Sequence, residues 1–454
     1  MQLIGSDQFT IIVGLGKTGV SCARYLESRG ALFGMVDTRE QPPGLETVRR
    51  EFPGAPLECG PLSEQTLLRA SRLLVSPGVS RQEPAIAAAE AAGVEVIGDI
   101  DLFCEEVEAP IVAITGSNAK STVTTLLGEM ARDVGWDVAV GGNLGTPVLE
   151  LLREEPHDLY ILELSSFQLE TCSRLRAKAA TVLNVSPDHM DRYPDLPAYH
   201  RAKQRIYQGC EHAVFNLDDP LTQPLIPDGV ARTGFRLGRP DLGQFGIIEE
   251  AGTRYLAQGL DRLLPVAKVA IKGEHNLANA LAALALGRAC GLPMASMLAT
   301  LTRFRGLKHR CQWVRDLDGV AYVNDSKGTN VGATLAAIEG LSATVEGQVV
   351  LIAGGEGKGA DFSDLRDPLA RHGRAAVLIG TDAGRLRDCL QGRLALEQAD
   401  SMAQAVQKAR ALAQPGDLVL LSPACASFDM FSGFEARGDA FIEAVEGLSV
   451  EAVS

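Results

Sequence analysis

Short apolar runs alternate with helical patterns along most of the chain, and this alternation restricts the fold more than any other feature. Near the start, the runs FTIIVG and LFGMVD flank KTGVSCARYLESRG, an amphipathic pattern that ends at Gly30. Strands alternating with helices are typical of a parallel sheet covered by helices on both faces. The sequence therefore predicts an α/β fold with a Rossmann-like N-terminal domain.

The alternation restarts twice. APIVAITGS begins a second set after Pro110, and a third set begins near HRCQWVRDLDGVAYVNDSKGTN, where Asp318 and Gly319 predict a hairpin turn. From about residue 230 to 273 the pattern changes, and ARTGFRLG, FGIIEEAGTRYLA and AKVAIKG predict a small antiparallel sheet. We predict a P-loop ATPase-like central domain carrying this sheet and a Rossmann-like C-terminal domain. The predicted domains are residues 1–98, 99–309 and 310–454.

Composition excludes several classes of function. The net charge of −14 argues against non-specific binding to nucleic acid or anionic membranes, because a negative protein repels phosphates. The sequence contains no run of 18 apolar residues, so no membrane span is predicted. The start of the chain lacks a signal-peptide pattern. Nine scattered cysteines without a C-x-x-C pair predict reduced thiols. A cytoplasmic protein is expected.

The first glycine-rich loop has the spacing of a dinucleotide-binding turn. Gly14, Gly16 and Gly19 follow an apolar run and open a helical pattern, and Asp37 ends the next run. Such glycines let a diphosphate approach the positive end of a helix. The loop predicts a nucleotide diphosphate, although a tight turn without a ligand would use the same residues.

A second loop, TGSNAKST, also lies between an apolar run and a helical pattern. The usual phosphate loop, G-x-x-x-x-G-K-[ST], requires glycines where this chain has Ile114 and Ala119. Lys120 nevertheless supplies a cation at a helix start, and the Ser121 hydroxyl can reach Mg²⁺. We interpret the loop as a working phosphate site of a shorter type; a chance helix start is the alternative.

Ionisable residues follow several other predicted strands. Glu163 ends an apolar run and His189 comes just after another, where α/β sheets bind ligands. Lys203 lies on a later helical pattern, and by itself it is best interpreted as a solvated surface lysine. In the last set, Lys327 and Lys358 follow two different strands, which predicts a pocket for a small dianion.

Seven motifs in this order resemble the Mur ligase family: TGSNAKST, GGNLGTP, ELSSFQLE, NVSPDHMDRY, GEHNLAN, GLKHR and NDSKGTN. The resemblance covers nearly the whole chain. It implies an ATP-dependent, ADP-forming amide ligase of cytoplasmic peptidoglycan precursor synthesis, and hence of cell wall biogenesis, cell shape and cell division. The DSK triplet and LSPACASFDMF are similar to the member that joins D-glutamate to UDP-N-acetylmuramoyl-L-alanine through an acyl phosphate. A monomer that binds no nucleic acid is expected.

The resemblance also implies roles for individual residues. The catalytic set is Lys120, Glu163, His189, Lys203 and Arg310. ATP would contact Gly116, Ser117, Asn118, Ala119, Lys120, Ser121, Thr122, Asn276, Asn279, Arg310 and Asp325. The UDP-sugar would contact Lys17, Thr18, Asp37, Thr38, Arg39, Gly78, Asn143 and His189. D-Glutamate would contact Lys327, Thr329, Lys358, Ser427 and Phe434. Two Mg²⁺ ions would be held by Ser121, Glu163, His189 and Lys203, the last as a carbamate.

The family loop has glycine where this chain has Ala119. That position begins the helix, so we expect a negative φ that alanine adopts without strain.

Two other classes of function remain open at this point. A nicotinamide-linked oxidoreductase would use the first loop but leaves the second one unexplained. A P-loop regulatory or motor ATPase would hydrolyse ATP without joining two molecules.

Overall fold

The computed structural model describes residues 9–449, so both ends of the chain lie outside the described part. Three sheets follow one another along the sequence. This confirms the α/β class and its division into three successive units. We call them the N-terminal, central and C-terminal units after their sheets. Within residues 9–449, no helix is both long and apolar enough to cross a membrane.

The N-terminal unit is a five-stranded parallel sheet in the order β3-β2-β1-β4-β5. Its strands are β1 (Thr10–Val13), β2 (Phe33–Asp37), β3 (Leu57–Cys59), β4 (Arg72–Val75) and β5 (Glu95–Ile97). Its helices are α1 (Lys17–Ser28), α2 (Leu45–Glu51), α3 (Glu64–Leu67) and α4 (Pro84–Ala91), and α5 (Asp99–Glu106) leads to the next unit. The central strands β1 and β2 are buried along their whole length, which explains their continuous apolar sequences.

The central unit has nine strands in the order β14-β13-β12-β11-β10-β9-β6-β8-β7. The strands are β6 (Ile111–Thr115), β7 (Val138–Gly142), β8 (Leu159–Glu163), β9 (Ala179–Val182), β10 (His212–Asn216), β11 (Ala231–Phe235), β12 (Phe245–Glu250), β13 (Thr253–Gln258) and β14 (Asp261–Pro265). The α-helices are α6 (Lys120–Arg132), α7 (Ser166–Glu170), α8 (Leu196–Gln204), α9 (Glu274–Ala289) and α10 (Met294–Leu301). Short 3₁₀ helices span Val148–Leu151, Arg205–Tyr207, Pro220–Thr222 and Val266–Lys268.

The predicted antiparallel strands extend the edge of this sheet. β12, β13 and β14 pair antiparallel, as predicted. The prediction for ARTGFRLG is wrong, because its strand β11 pairs parallel with both β10 and β12. The expected strand AKVAIKG is wrong: its first two residues belong to the 3₁₀ helix Val266–Lys268, and the last strand is the preceding DRLLP. Four of the five DRLLP residues are at least partly exposed or polar, so this edge strand lacks the apolar run that marks the buried ones.

The C-terminal unit is a six-stranded sheet in the order β15-β16-β20-β17-β18-β19, in which only the pairing of β15 with β16 is antiparallel. The strands are β15 (Gln312–Leu317), β16 (Val320–Asn324), β17 (Val349–Gly354), β18 (Gly373–Ile379), β19 (Ala395–Gln398) and β20 (Leu418–Leu421). The helices are α11 (Val331–Ser342), α12 (Arg366–His372), α13 (Ala383–Leu390), α14 (Met402–Leu412), α15 (Phe434–Glu446) and the 3₁₀ helix Ser363–Leu365. Asp318 and Gly319 both have positive φ, which confirms the predicted hairpin turn.

Apolar packing joins the first two units. One cluster of buried side chains contains Ile12 and Phe33 of the N-terminal sheet together with Tyr160 and Leu162 of the central sheet. The two large clusters of the C-terminal unit contain only residues from position 311 onward. The N-terminal and central units therefore share a core, whereas the C-terminal unit is packed on its own core.

Candidate functional site

Three connected cavities lie where the carboxyl ends of the strands of all three units face one another. We name them the large cleft (930 Å³), the side cavity (370 Å³) and the central cavity (310 Å³). Arg310, directly after the central unit, lines all three. The position agrees with the rule that open α/β sheets bind ligands at the carboxyl ends of their strands.

The first glycine-rich loop forms one end of the large cleft. A Cβ at Gly19 would lie 1.9 Å from the carbonyl oxygen of Gly14, so only glycine lets α1 pack this closely. A Cβ at Gly16 would meet no described atom within 4 Å, which leaves the backbone open to a ligand. Gly16 begins α1 without a side-chain cap among the described residues, so the first N–H groups of the helix are available to an anion.

Most residues predicted to hold the UDP-sugar line this cleft: Lys17, Thr18, Thr38, Arg39, Gly78 and Asn143. Asp37 does not. It is fully buried, and its carboxylate accepts hydrogen bonds from the Leu15 N–H (2.6 Å) and from the Arg39 side chain (2.8 Å). Burial alone would raise the pKa of Asp37, but these hydrogen bonds outweigh it and lower the pKa. In this structure the Asp37 carboxylate holds the glycine-rich loop and the Arg39 side chain in place, and it does not line the cleft.

The phosphate loop connects β6 to α6. Ser117 Oγ donates to the Ser186 carbonyl (2.9 Å), and the Asn118 N–H donates to Asn184 Oδ1 (2.8 Å). These bonds fix the loop against the strand end that precedes Asp188. α6 has neither a side-chain cap nor an acidic residue in its first turn, within the part of the chain that is described. The partial positive charge at the start of α6 therefore faces the cavities, and no described side chain in the first turn of the helix neutralises it.

Ala119 corrects one sequence expectation. Its φ is +68° and its ψ is −8°, which is the left-handed region and not the negative φ expected for a helix start. The loop must turn sharply so that its N–H groups converge, and the residue before Lys120 takes up that turn. The left-handed conformation costs a non-glycine residue roughly 1–2 kcal/mol. The alanine is tolerated at a cost in stability.

We therefore expect Ala119→Gly to stabilise the protein by up to about 1 kcal/mol, because the relieved strain exceeds the added chain entropy. The KM for ATP should change by less than about tenfold. Urea unfolding and steady-state kinetics measure both. Ala251→Gly is the matched control, since Ala251 also has a positive φ (49°) but lines none of the three cavities. A large gain in kcat for Ala119→Gly alone would show that the natural loop is impaired.

Five lysine and arginine side chains line the central cavity: Lys120, Lys203, Arg310, Lys327 and Lys358. Burial, and then the positive charges of Arg310 and Lys120, lower the pKa of Lys327 to about 8. Burial likewise lowers the pKa of Lys120. Lys120 Nζ bonds the Gly116 carbonyl (2.8 Å) and the Ser117 carbonyl (3.1 Å) of its own loop. This local excess of positive charge, in a chain of net charge −14, fits a polyanionic ligand.

Lys203 is buried, with 1% of its surface exposed, so its interpretation as a solvated surface lysine is wrong. Its Nζ donates to the Gly116 carbonyl (2.8 Å) and lies 4.5 Å from the centre of the Tyr199 ring. Burial, followed by the nearby charge of Lys120, lowers its pKa well below the usual value. The helical pattern gave no sign of burial because the Gly116 carbonyl that Lys203 contacts lies 87 residues earlier in the chain.

Glu163 has the oxygen that a metal ion requires. Its Oε1 accepts a hydrogen bond from Asn143 Nδ2 (2.7 Å), while the buried Oε2 finds no partner among residues 9–449. Ser121 Oγ accepts from Arg310 Nη2 (2.6 Å) and lines the large cleft with Glu163. The described residues contain no group of three or more His, Cys, Asp or Glu side chains arranged to hold a metal. Glu163, with hydroxyl and phosphate oxygens, suits a hard cation such as Mg²⁺.

His189 and Lys203 both line the central cavity. Its ring packs edge-on against Phe167 at 4.8 Å, and burial lowers its pKa, so the imidazole is neutral near pH 7. A neutral imidazole can act as a metal ligand or as a hydrogen-bond partner.

The side cavity contains most of the other predicted nucleotide residues: Asn118, Ala119, Thr122, Asn276, Asn279, Arg310 and Asp325. Gly116 is in none of the three linings; its carbonyl is held by the two lysines instead. Asp325 accepts hydrogen bonds from Ser422 Oγ (2.7 Å) and the Cys311 N–H (3.1 Å). Burial raises the pKa of Asp325 to about 6, despite these bonds.

All five residues predicted for D-glutamate line the central cavity: Lys327, Thr329, Lys358, Ser427 and Phe434. Lys327 Nζ lies 3.8 Å from the centre of the Phe434 ring, so the two side chains order each other. These residues come from the ends of β16, β17 and β20 and the start of α15. The structure thus brings together three loops from separate parts of the C-terminal unit.

Sequence reasoning missed Phe167, which packs on His189, and Asn330, which reaches from the C-terminal unit to the phosphate loop. Asn330 did carry a signal: an asparagine immediately before a helical pattern predicts an N-cap. No sequence pattern indicated its contact with Asn118 of the central unit.

Three successive sequence models of one family match the chain. The Mur ligase MurD-like N-terminal domain matches residues 8–98, the Mur ligase middle domain residues 114–287, and the Mur ligase glutamate ligase domain residues 309–425. UDP-N-acetylmuramoylalanine–D-glutamate ligases from Pseudomonas fluorescens Pf-5 and Pseudomonas aeruginosa PAO1 are each 58% identical over 449 residues, which is 99% of this chain and 100% of each relative.

The MurF ligase of Thermotoga maritima, solved in complex with ADP, has the same fold: the TM-score is 0.63 over 98% of this chain and 99% of that one, at 16% identity. The fold and the cation-lined phosphate loop define a three-unit nucleotide-dependent α/β protein. More specifically, the chain belongs to the Mur ligase family.

Proposed function

We propose that this protein is an ATP-dependent, ADP-forming ligase that joins D-glutamate to UDP-N-acetylmuramoyl-L-alanine in peptidoglycan precursor synthesis. The names of relatives 58% identical over the whole chain support the substrates. The observation that carries the chemistry is the convergence of Lys120, Arg310 and Lys327 and the uncapped start of α6 on one cavity. Such a site neutralises a triphosphate and the charge that develops during phosphoryl transfer.

Each substrate is held mainly by one unit. The UDP-sugar binds residues 1–98, ATP binds residues 99–309, and D-glutamate binds residues 310–454. The enzyme works as a monomer in the cytoplasm.

The UDP-sugar lies in the large cleft. Its diphosphate meets the open backbone at Gly16 and the first N–H groups of α1, beside Lys17 and Thr18. Arg39 and Gly78 line the same end of the cleft, and Asn143 lies toward the central cavity, where the lactyl-L-alanine arm would end. Asp37 acts indirectly, because its carboxylate already holds Arg39.

ATP lies across the side cavity, with adenine toward Asn276 and Asn279 and the phosphates on the loop beside Lys120. Mg²⁺ would be held by Ser121 and the unpartnered oxygen of Glu163. A second Mg²⁺ would be held by His189 and the carbamate of Lys203. When bound, the ions offset phosphate charge and orient the phosphate oxygens.

The reaction has two steps. A carboxylate oxygen of the L-alanine arm attacks the γ-phosphorus of ATP, the bond to ADP breaks, and an acyl phosphate forms. The amine of D-glutamate then attacks the acyl carbon, loses a proton and expels phosphate. Lys120 and Arg310 stabilise charge on the transferring phosphoryl group, while the cavity walls exclude water from the acyl phosphate.

Phosphate release is the experiment that tests this function. Release should require ATP, UDP-N-acetylmuramoyl-L-alanine and D-glutamate together, and a panel of D- and L-amino acids should replace D-glutamate poorly. Release without the amino acid would favour a simple ATPase, and an absorbance change with a nicotinamide cofactor would favour an oxidoreductase.

We expect Lys358→Ala to raise the KM for D-glutamate by several tens-fold, because losing one partner of a charge pair that the bound ligand buries costs about 2–5 kcal/mol. Lys358 is an exposed cation at the rim of the central cavity, so its loss should leave the fold intact. The KM for the UDP-sugar should change little. Lys268→Ala, which removes an exposed cation outside the three cavities, is the control. An equal rise of both KM values would refute the assignment.

A further inference from the structure

α11 of the C-terminal unit lies against the central unit along one face. Five small residues share this face: Gly332, Ala333, Ala336, Ala337 and Gly340. The first four line the side cavity opposite Asn276 and Asn279 of α9. α11 is therefore a wall of the proposed nucleotide cavity as well as a contact between units.

Asn330 fixes the start of α11 to the phosphate loop. Its Oδ1 accepts from the Ala333 N–H (2.8 Å) and caps the helix. Its Nδ2 donates to Asp188 Oδ2 (3.2 Å) and to Asn118 Oδ1 (3.3 Å), both of the central unit. One side chain thus orders α11, the phosphate loop and the loop that carries His189.

The other end of the face meets His275, at the start of α9. A Cβ at Gly340 would lie 2.3 Å from His275 Nδ1, so the imidazole occupies the space that a side chain would need. Nδ1 is shielded from solvent and has no hydrogen-bond partner within residues 9–449. Burial lowers the pKa of His275 to about 4, so a neutral ring packs on the helix.

Gly332 makes a similar close approach, because a Cβ there would lie 2.8 Å from Ser186 Oγ. The apolar clusters of the C-terminal unit contain only its own residues, so these local contacts contribute much of what orients the unit.

We propose that α11 is the docking helix of the C-terminal unit, and that Asn330 and the His275–Gly340 contact are positioning residues that set the D-glutamate pocket on the phosphate loop. This inference rests on the proposed function. Thr329 directly precedes Asn330 and lines the central cavity, so an error in docking moves the D-glutamate pocket relative to the phosphoryl group. α11 both lines the nucleotide cavity and contacts the central unit. Nucleotide binding should therefore stabilise the docked position of the C-terminal unit, and docking should strengthen nucleotide binding.

Gly340→Ala tests the contact with His275. Alanine favours a helix, so the variant should not weaken α11 itself. We expect kcat/KM for D-glutamate to fall about tenfold to a hundredfold, because small misplacements of reacting groups cost that much. The KM for the UDP-sugar should stay within about twofold of the parent value. The radius of gyration of the ligand-free enzyme, measured by small-angle scattering, should increase.

Gly384→Ala is the matched control, since a Cβ at this position of α13 would meet no described atom within 4 Å. It should behave like the parent enzyme. Adding His275→Ala to Gly340→Ala opens space for the new methyl group, and should restore the parent radius and part of the lost kcat/KM.

Asn330→Ser and Asn330→Asp separate capping from docking. Both retain an N-cap oxygen for α11. Serine is too short to reach Asp188, whereas aspartate would place a second carboxylate against it. We expect kcat/KM for D-glutamate to fall in both, and further in Asn330→Asp. Equal, near-parental values would mean that Asn330 serves only as a cap, and would overturn its positioning role.

The proposed function and the docking inference fail in different ways. A parent enzyme without D-glutamate-dependent phosphate release would refute the function. An active parent, with Gly340→Ala matching Gly384→Ala in both kinetics and scattering radius, would refute the docking role of α11 alone.

Discussion

Replacing Lys120 with alanine should reduce ligation by at least about a hundredfold to a thousandfold, the usual cost of losing a preorganised group that stabilises transition-state charge. Lys120 is the only cation within the TGSNAKST loop. It starts a helix whose first N–H groups are uncapped within the described chain. Without its charge, the β- and γ-phosphates would lose a direct partner, while the backbone donors would remain.

The fold should survive this substitution. In the structure, Lys120 Nζ bonds only carbonyls of its own loop, Gly116 and Ser117, among the described residues. The loop itself is anchored by Ser117 and Asn118. Circular dichroism and the thermal midpoint of Lys120→Ala should therefore resemble those of Lys268→Ala, the surface control. A folded Lys120→Ala enzyme with near-normal turnover would show that the phosphate-loop assignment is wrong.

The sequence predicted the loops of the site well because each lies between an apolar strand and a helix. Lys120 and Lys327 follow β6 and β16, and Glu163 is the last residue of β8. The carboxyl ends of parallel strands lie at the same end of a sheet. The apolar periodicity therefore predicted the strands, and it also predicted that these residues lie at the carboxyl ends of those strands.

Features that depend on contacts between distant segments were not predictable in the same way. The left-handed Ala119 results from the turn of the loop, not from any preference of alanine. Asp37 matched the spacing of a ribose-binding acid, yet Arg39, two residues later, uses its carboxylate. The His275–Gly340 contact joins residues 65 positions apart in different units, and no local pattern encodes such a pair.

Lys203 is the residue for which sequence and structure differ most, and Lys203→Ala should lose most of the ligase activity. Two cations, Lys120 and Lys203, donate to the same carbonyl of Gly116, so an ammonium at Lys203 is disfavoured by both burial and charge. The lowered pKa means that the neutral amine is populated at lower pH than for an ordinary lysine. Because only the neutral amine reacts with CO₂, the site favours carbamate formation.

A carbamate at Lys203 would replace one of the crowded cations with an anion that has two hard oxygens, suited to Mg²⁺ beside His189. Acetate or bicarbonate should then restore part of the activity of Lys203→Ala, whereas Lys203→Arg, which keeps the cation and cannot be carbamylated, should be inactive and unrescued. Electron density should extend past Nζ by three atoms, and labelled bicarbonate should give a carbamate signal in the carbon NMR spectrum of the parent enzyme only. Electron density for a bare ammonium, together with near-normal turnover of a folded Lys203→Ala enzyme, would mean that the buried lysine serves only to brace the Gly116 carbonyl.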